Sequence, residues 1–260
     1  MKNKDDSLRH KVNPPSSRGP GRDLSGIRDW VFDLDNTLYS AGSRLFDQVD
    51  QRMGAFIADH FGIAAAEARV LQKRYFRTYG TTLRGLMLHH DMAPEAYLDY
   101  VHDIDLSLVS ANLDLDAVLD RLAGRKTVFT NGSLKHAEAI LDRLGIARHF
   151  SAIFDVAAAG FVPKPDPGCY RKMLDALVIA PERAVLFEDT AENLPPAAAL
   201  GMTTVLVVPP DEPETTPAPD SGSSDYPGEA AKSRRTPDGH IHFVTDDLVA
   251  WLRDAAVPRH

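Results

Sequence analysis

The sequence predicts an α/β fold, in which helices cover both faces of a parallel β-sheet and a helical domain follows the first strand. Short apolar runs that end in polar residues indicate the strands, and helical patterns follow several of them. These runs lie at residues 30–34, 127–129, 153–156, 184–187, 204–208 and 240–244. Because strands that alternate with helices are joined by right-handed crossovers, this order favours a parallel sheet.

Helical periodicity is clearest at two places. After the second strand, apolar residues recur every three or four positions up to Gly145, which is expected to end the helix. Residues 43–111 show the same periodicity and contain no convincing strand. The chain therefore divides into a Rossmann-like α/β core at residues 27–42 and 112–260 and an inserted helical cap domain at residues 43–111.

Two further segments differ from the rest in composition. Residues 1–26 and 209–239 are rich in Pro, Gly, Ser and charged residues and contain few large apolar side chains. Such segments cannot bury enough apolar surface to offset the conformational entropy that folding removes. We therefore expect a disordered N-terminal tail and a flexible insertion within the core.

The overall composition excludes several classes of function. Of the 260 residues, 43% are hydrophobic and 25% are charged, which is ordinary for a globular protein. A net charge of −8 argues against a nucleic-acid polymer as partner. Cys169 is the only cysteine, so no intramolecular disulfide can form. With no apolar run near the ~20 residues of a membrane helix and no signal-peptide pattern, we expect a cytoplasmic protein without a membrane partner.

Two aspartates follow the first predicted strand. Asp33 and Asp35 are two positions apart where the chain leaves the strand, so both carboxylates can converge on one cavity at the carboxyl end of the sheet. A carboxylate can act as a nucleophile toward phosphorus, and a second one can exchange protons with the leaving group and with water. Taken alone, the pair is equally consistent with solvated carboxylates in a turn.

Polar residues also follow the second predicted strand, where a helix begins. Hydroxyls and backbone amides at a helix N-terminus can bind an anion. Thr130 is the candidate for phosphate contact here, together with the adjacent Asn131. Ser133 can equally serve only as the helix cap.

A lysine between two prolines follows the third predicted strand. Pro163 and Pro165 indicate a stiff, extended segment that can fix the ammonium of Lys164 where it holds a phosphate and a carboxylate together. We expect this lysine at the rim of the sheet, where it contributes little to the core. In isolation it is also consistent with a solvated surface charge.

Two adjacent acidic residues, Glu188 and Asp189, follow the fourth predicted strand. Carboxylates that gather at the same edge as Asp33 and Asp35 repel one another unless a cation joins them. Hard oxygen ligands of this kind suit Mg²⁺.

The strand ends together carry Asp-x-Asp-x-Thr, Thr-Asn, Lys and Glu-Asp, in that order. In type, order and strand position, these residues resemble the four motifs of the haloacid dehalogenase (HAD) superfamily over residues 27–208. The resemblance implies that Asp33 is the nucleophile, that Asp35 is the acid/base, and that Thr130 and Lys164 bind the phosphate. The implied ligands of Mg²⁺ are Asp33, the backbone oxygen of Asp35, Asp189 and, through water, Glu188.

Two phrases resemble one branch of this superfamily, the pyrimidine 5′-nucleotidases, whose cap is a helical insertion at the same place. They are DLDNTLY at residues 33–39 and YFRTYGTTLRGL at residues 75–86. The resemblance implies a small-molecule phosphomonoester substrate, a pyrimidine nucleoside monophosphate such as UMP or CMP. The implied substrate-facing residues are Tyr79, Thr81, Thr82 and Arg84. Tyr79 can instead belong to the cap core, and Arg84 can instead pair with a carboxylate of the cap.

Other functions stay open at this stage. A sugar-phosphate phosphatase or a phosphomutase of the same superfamily shares the strand-end residues. A dehalogenase needs neither a metal nor the second acid, so Asp35, Glu188 and Asp189 count against that reaction. A protein that only binds a phosphorylated ligand would usually lack one of the four motifs, and all four are present.

Overall fold

The computed structural model describes residues 24–210 and 239–255. Within these ranges six strands form one parallel sheet: β1 Asp29–Phe32, β2 Arg125–Phe129, β3 Ala152–Phe154, β4 Ala184–Glu188, β5 Thr203–Val207 and β6 Phe243–Thr245. Their order across the sheet is β3-β2-β1-β4-β5-β6, and every neighbouring pair is parallel. The predicted parallel α/β fold is confirmed.

Strand β1 lies at the centre of the sheet between β2 and β4. Its last residue, Phe32, is in register with Val128 of β2 and with Phe187 of β4. The three strands therefore end at nearly the same level, which brings the residues that follow them to one edge. The predicted first strand extended to residue 34, but the regular strand ends two residues earlier.

Nine α-helices lie in the described ranges. They are α1 Leu45–Phe61, α2 Ala65–Tyr79, α3 Thr82–His90, α4 Pro94–Val101, α5 Leu113–Arg121, α6 Leu134–Leu144, α7 Pro167–Leu177, α8 Leu194–Ala199 and α9 Leu248–Ala255. The helix predicted to stop at Gly145 is α6. Gly145 caps it with a φ of 75°, a left-handed conformation that favours glycine.

Alternate residues of β1 point to opposite faces of the sheet, and each face carries its own core. Trp30 and Phe32 pack with apolar residues of α5, α6 and α9. Val31 packs on the other face with residues of α7 and α8. Because both faces are covered, residues 30–32 of β1 are all apolar and do not alternate with polar residues.

Residues 45–102, the helical segment, comprise α1–α4 and the residue that ends α4. No strand occurs in this segment, as the periodicity predicted. It has a hydrophobic cluster of its own, which includes Val49, Ile57, Tyr75, Leu86 and Tyr97. A buried ionic group joins α1 to α2, where Asp50 accepts hydrogen bonds from Gln72, Lys73 and Arg69.

The described ranges contain no helix that is both long enough and apolar enough to cross a membrane. Residues 1–23 of the expected tail and residues 211–238 of the expected insertion lie outside the described part of the chain. These two expectations stay predictions.

Candidate active site

A cavity of ≈ 1780 Å³ opens at the carboxyl ends of β1, β2 and β4, between the sheet and the helical segment. All eleven residues that the sequence singles out for catalysis, substrate binding or metal binding line this cavity. They are Asp33, Asp35, Tyr79, Thr81, Thr82, Arg84, Thr130, Asn131, Lys164, Glu188 and Asp189. Parallel strands that end in register produce this arrangement, since each places its next residues at the same edge.

Lys164 is the centre of the buried part of the site. Its Nζ donates to Asp33 Oδ1 at 2.7 Å, to Glu188 Oε2 at 2.7 Å and to the carbonyl oxygen of Phe129 at 3.0 Å. The side chain is only 1% exposed. The expectation that this lysine contributes little to the core was therefore wrong: the chain folds the lysine inward, where its single positive charge offsets two buried carboxylates.

Asn131 holds the backbone of Lys164 in place. The amide N–H of Lys164 donates to Asn131 Oδ1 at 2.8 Å, and Asn131 Nδ2 donates to the carbonyl oxygen of Lys164 at 3.3 Å. Both polar atoms of the carboxamide thus hydrogen-bond to the Lys164 backbone. The expected contact of Asn131 with phosphate stays a prediction. This pair of hydrogen bonds fixes the segment that carries the ammonium group.

Three carboxylates lie close together beside this lysine. Single oxygens of Asp33, Glu188 and Asp189 lie within 4.8 Å of one another. Burial raises the pKa of Asp33 to about 7, and repulsion from Glu188 adds to this while the ammonium of Lys164 opposes it. Burial, followed by repulsion from Glu188 and Asp33, also raises the pKa of Asp189 well above its usual range. One lysine does not balance this cluster, so the site favours an additional cation.

Asp35 lies apart from this cluster and has different partners. Its Oδ1 accepts from Tyr39 Oη at 2.7 Å and from His136 Nε2 at 2.9 Å. Burial alone would raise the pKa of Asp35, but the charge and hydrogen bond of His136 and the hydroxyl of Tyr39 lower it overall. Two aspartates that are two positions apart thus have opposite pKa shifts, because their partners differ.

Thr130 and Ser133 follow β2. Thr130 is 2% exposed, and its Oγ1 accepts from the backbone N–H of Gly132 at 2.9 Å, which leaves its hydroxyl proton to donate. Ser133 is the N-cap of α6, because its Oγ accepts from the backbone N–H of His136 at 3.3 Å. Its hydroxyl also hydrogen-bonds to His102 Nδ1 at 2.9 Å.

The turn between α2 and α3 forms the wall opposite the sheet. Tyr79 is partly buried and its hydroxyl hydrogen-bonds to His89 at 2.5 Å, while Arg84 Nη1 donates to the carbonyl oxygen of Phe161 at 3.4 Å. Thr81 instead caps α3, and Thr82 is buried against the backbone of α2. Of the four predicted substrate-facing residues, the two threonines therefore have structural roles for their hydroxyls.

Three residues around Asp35 were not identified from the sequence: Tyr39, His102 and His136. A signal existed for two of them, since Tyr39 is four positions after Asp35 and His136 is one turn into the helix that follows β2. His102 gave no such signal, because it comes from the helical segment and reaches the site only through the tertiary fold. Its ring stacks on that of His136 with a centroid distance of 4.2 Å.

Comparisons with known proteins agree with this architecture. Residues 30–201 match the family model described as haloacid dehalogenase-like hydrolase. The chain is 26% identical to phosphate metabolism protein 8 of Saccharomyces cerevisiae over 76% of this chain and 66% of that protein. It is 25% identical to phosphoglycolate phosphatase of Mesorhizobium japonicum over 68% of this chain and 81% of that protein.

A crystal structure of a HAD phosphatase from Thermococcus onnurineus superposes with a TM-score of 0.54 at 18% identity, covering 88% of this chain and 97% of that one. This likeness supports the fold. The chain spans 38–66% of the length of the first three curated relatives it matches. Since the family model covers more than half of the sequence, from β1 to the end of α8, the chain belongs to the haloacid dehalogenase-like hydrolases.

Proposed function

We propose that this protein is a magnesium-dependent phosphomonoester hydrolase in which Asp33 forms an aspartyl-phosphate. The observation that carries the proposal is the buried arrangement of Lys164 between Asp33 and Glu188, with N–O distances of 2.7 Å to both carboxylates. This arrangement holds a carboxylate nucleophile at the floor of a large cavity and places a fixed cation beside it. Phosphoryl transfer through an aspartyl-phosphate uses both features.

The metal would be held by Asp33 and Asp189, with Glu188 acting directly or through water. The fit rests on three carboxylates that share one cluster and are only partly compensated by the charge of Lys164. When bound, Mg²⁺ would reduce the repulsion between the nucleophile and the phosphate and would orient both. The backbone oxygen of Asp35 is a further proposed ligand.

Asp33 attacks phosphorus, and the leaving oxygen departs with a proton from Asp35. Water then attacks the phosphorus of the aspartyl-phosphate, and Asp35 accepts the proton of that water. Lys164, Thr130 and backbone amides at the start of α6 hold the charge that develops on the phosphate oxygens. In the metal-free protein the pKa of Asp33 is raised and that of Asp35 is lowered, so this division of roles rests on the contacts of the two carboxyl groups. A cation bound beside Asp33 would lower its pKa and favour the ionised nucleophile.

The helical segment serves as the cap domain in this proposal. The turn between α2 and α3 packs at Gly80 against the segment that carries Lys164. A Cβ atom at position 80 would lie 3.1 Å from the Lys164 carbonyl oxygen. Closure of this segment over the bound substrate would exclude bulk water and supply selectivity, which a phosphate group common to all substrates cannot supply.

The proposed substrate is a pyrimidine nucleoside 5′-monophosphate, with Tyr79 and Arg84 toward the nucleoside. One support for this substrate is the resemblance of residues 75–86 to the pyrimidine 5′-nucleotidases. A second support is the composition of the cavity wall. It combines these polar groups with apolar side chains of the helical segment, including Phe46, Met53 and Phe76. Such a mixture suits a flat base attached to a polar sugar.

A panel of phosphomonoesters tests the proposal. Purified protein with Mg²⁺ should release phosphate, with a higher kcat/KM for CMP or UMP than for purine monophosphates, hexose phosphates and phosphoglycolate. A clear preference for a hexose phosphate or phosphoglycolate would contradict the nucleotide assignment and leave the phosphatase assignment intact. Tight phosphate binding with no turnover of any ester would contradict the enzymatic assignment itself.

A further inference from the structure

A pair of histidines joins the helical segment to the core beside Asp35. His102 ends α4, and His136 lies in the first turn of α6. Their rings are nearly parallel, at an interplanar angle of 13° and a centroid distance of 4.2 Å. His136 is 3% exposed, so this contact is a packed interface and not a surface encounter.

His102 is fixed on the core side by a second contact. Its Nδ1 hydrogen-bonds to the hydroxyl of Ser133 at 2.9 Å. Gly132 provides room for the His136 ring, because a Cβ atom there would come within 3.2 Å of it. The end of α4 is therefore seated on the loop between β2 and α6 by one stacked ring and one hydrogen bond.

His136 is also a direct partner of the Asp35 carboxyl. Its Nε2 and the Tyr39 hydroxyl both hydrogen-bond to the same oxygen, Oδ1. Among the described residues, both hydrogen bonds to this carboxyl group reach Oδ1 and none reaches Oδ2. The carboxyl group is thus held from one side, and Oδ2 is the oxygen available to exchange a proton with a ligand.

We propose that His136 is a positioning residue that orients the Asp35 carboxyl for proton transfer, and that His102 couples this orientation to the seating of the helical segment on the core. The inference rests on the proposed function, since it assigns a use to the acid/base role of Asp35. His136 does not touch the reacting phosphate in this scheme. It acts through Asp35.

The physical basis is the precision that proton transfer requires. A general acid must lie within hydrogen-bond reach of the leaving oxygen, and a misplacement of about 1 Å can cost roughly 100-fold in rate. A carboxyl with one fixed oxygen can swing only about that contact. Because the ring of His136 is clamped by His102, lifting α4 away from the core releases the ring and, with it, the carboxyl.

The competing explanation is that the two rings only fill space in the interface. Substrates with different leaving groups distinguish this packing role from the positioning role. An alkyl phosphate needs protonation of its leaving oxygen, whereas p-nitrophenolate leaves readily without it. A positioning defect should therefore slow release of the alcohol far more than release of nitrophenol. A packing defect should slow both equally.

The test is single-turnover kinetics with the full chain, Mg²⁺ and enzyme in excess, comparing p-nitrophenyl phosphate with the best alkyl phosphomonoester of the panel. His136→Ala is expected to slow release of the alcohol by about 100-fold, with a much smaller effect on nitrophenol. His136→Gln, which keeps an N–H donor, should restore part of the loss. If His136→Ala does not fold, His136→Phe keeps the ring and removes the donor, and it should show the same selective loss.

His149 provides a matched control. Its side chain is 6% exposed and its Nε2 lies 2.8 Å from Asp116 Oδ1, so it is also a buried histidine paired with an aspartate, but none of the cavity-lining residues contributes to that pair. His149→Ala should alter stability without changing the ratio of the two leaving-group rates. An equal slowing of both leaving groups in His136→Ala or His136→Phe would overturn the positioning role.

The coupling to the helical segment is tested by a double-mutant cycle. His102→Ala should show the same selective loss as His136→Ala, and the double variant should be no slower than His136→Ala alone. Additive losses, or an unchanged leaving-group ratio in His102→Ala, would overturn the coupling. Absence of turnover by the wild-type protein would instead overturn the proposed function, a result that is distinguishable because it does not depend on either histidine.

Discussion

The Nζ atom of Lys164 lies 2.7 Å from Oδ1 of Asp33, although 131 positions separate these residues in the chain. The same Nζ is 2.7 Å from Glu188 Oε2, so one ammonium group serves two carboxylates that come from different strand ends. Since all three side chains are buried, each charge depends on the others for compensation. The proposed chemistry and the stability of the site therefore rest on the same contacts.

Lys164→Met should lose both activity and stability. The change keeps most of the side-chain volume but leaves Asp33 and Glu188 buried without their shared cation, a loss of roughly 3–5 kcal/mol in the free energy of unfolding. Chemical denaturation measures this, and added Mg²⁺ should recover part of it. Lys73→Met is the matched control, because Lys73 is a buried lysine that pairs with Asp50 within the helical segment. It should retain turnover. Full activity in Lys164→Met would contradict the assignment.

Substitutions of the two aspartates should separate the two steps of the reaction. Asp33→Asn should abolish turnover of every substrate, because an amide cannot form the acyl-phosphate. Asp35→Asn should slow turnover of an alkyl phosphate by roughly 10²–10⁴-fold, the usual effect of losing general acid–base help. When Asp35→Asn is mixed rapidly with p-nitrophenyl phosphate, it should show a burst of nitrophenol that approaches one per active site. Phosphate release should then be slow.

The outcome that contradicts this division is specific. If Asp35→Asn shows one steady phase, no trapped phosphoenzyme and a loss of magnesium affinity like that of Asp33→Asn, both aspartates serve the metal site. The assignment of Asp35 as acid/base would then be wrong.

Removal of divalent metal should abolish turnover. The carboxylates of Asp33, Glu188 and Asp189 lie in one cluster, which a single lysine does not neutralise. Protein treated with a chelator should regain activity with Mg²⁺, and its melting temperature should rise with the Mg²⁺ concentration because the ion binds the folded state. Asp189→Asn should weaken this shift. Asp116→Asn, which alters a carboxylate paired with His149 away from the cavity, should not. Full turnover in excess chelator would contradict the metal requirement.

The stability of the metal-free protein should fall as the pH rises from about 4 to about 7. Burial and repulsion from Glu188 raise the pKa of Asp33 from 3.8 to about 7. Between these values the folded state holds a proton that the unfolded state has lost, so the linkage slope is negative. The melting temperature of Asp33→Asn should decline less over this range, since an amide does not titrate. Parallel curves for the two proteins would show that Asp33 is already ionised in the folded metal-free state.

The sequence located the site because of a general property of parallel sheets. Polar residues that follow buried strands meet at one edge, so Asp33, Thr130 and Glu188 could be predicted to converge without knowledge of any side-chain contact. Helical periodicity and the position of Gly145 likewise depend on local geometry, which is encoded within a few residues. These predictions needed no information about distant parts of the chain.

The sequence by itself therefore determined the parallel α/β fold, the helical insertion and the strand-end residues that meet in the cavity. Only the tertiary structure decided that Lys164 is buried, that Asn131 braces it, and that His136 and His102 stand behind Asp35. Burial and pairing of these side chains depend on how the loops after β2 and β3 and the end of α4 pack together. Such packing is a property of residues that are far apart in sequence, and no local pattern specifies it.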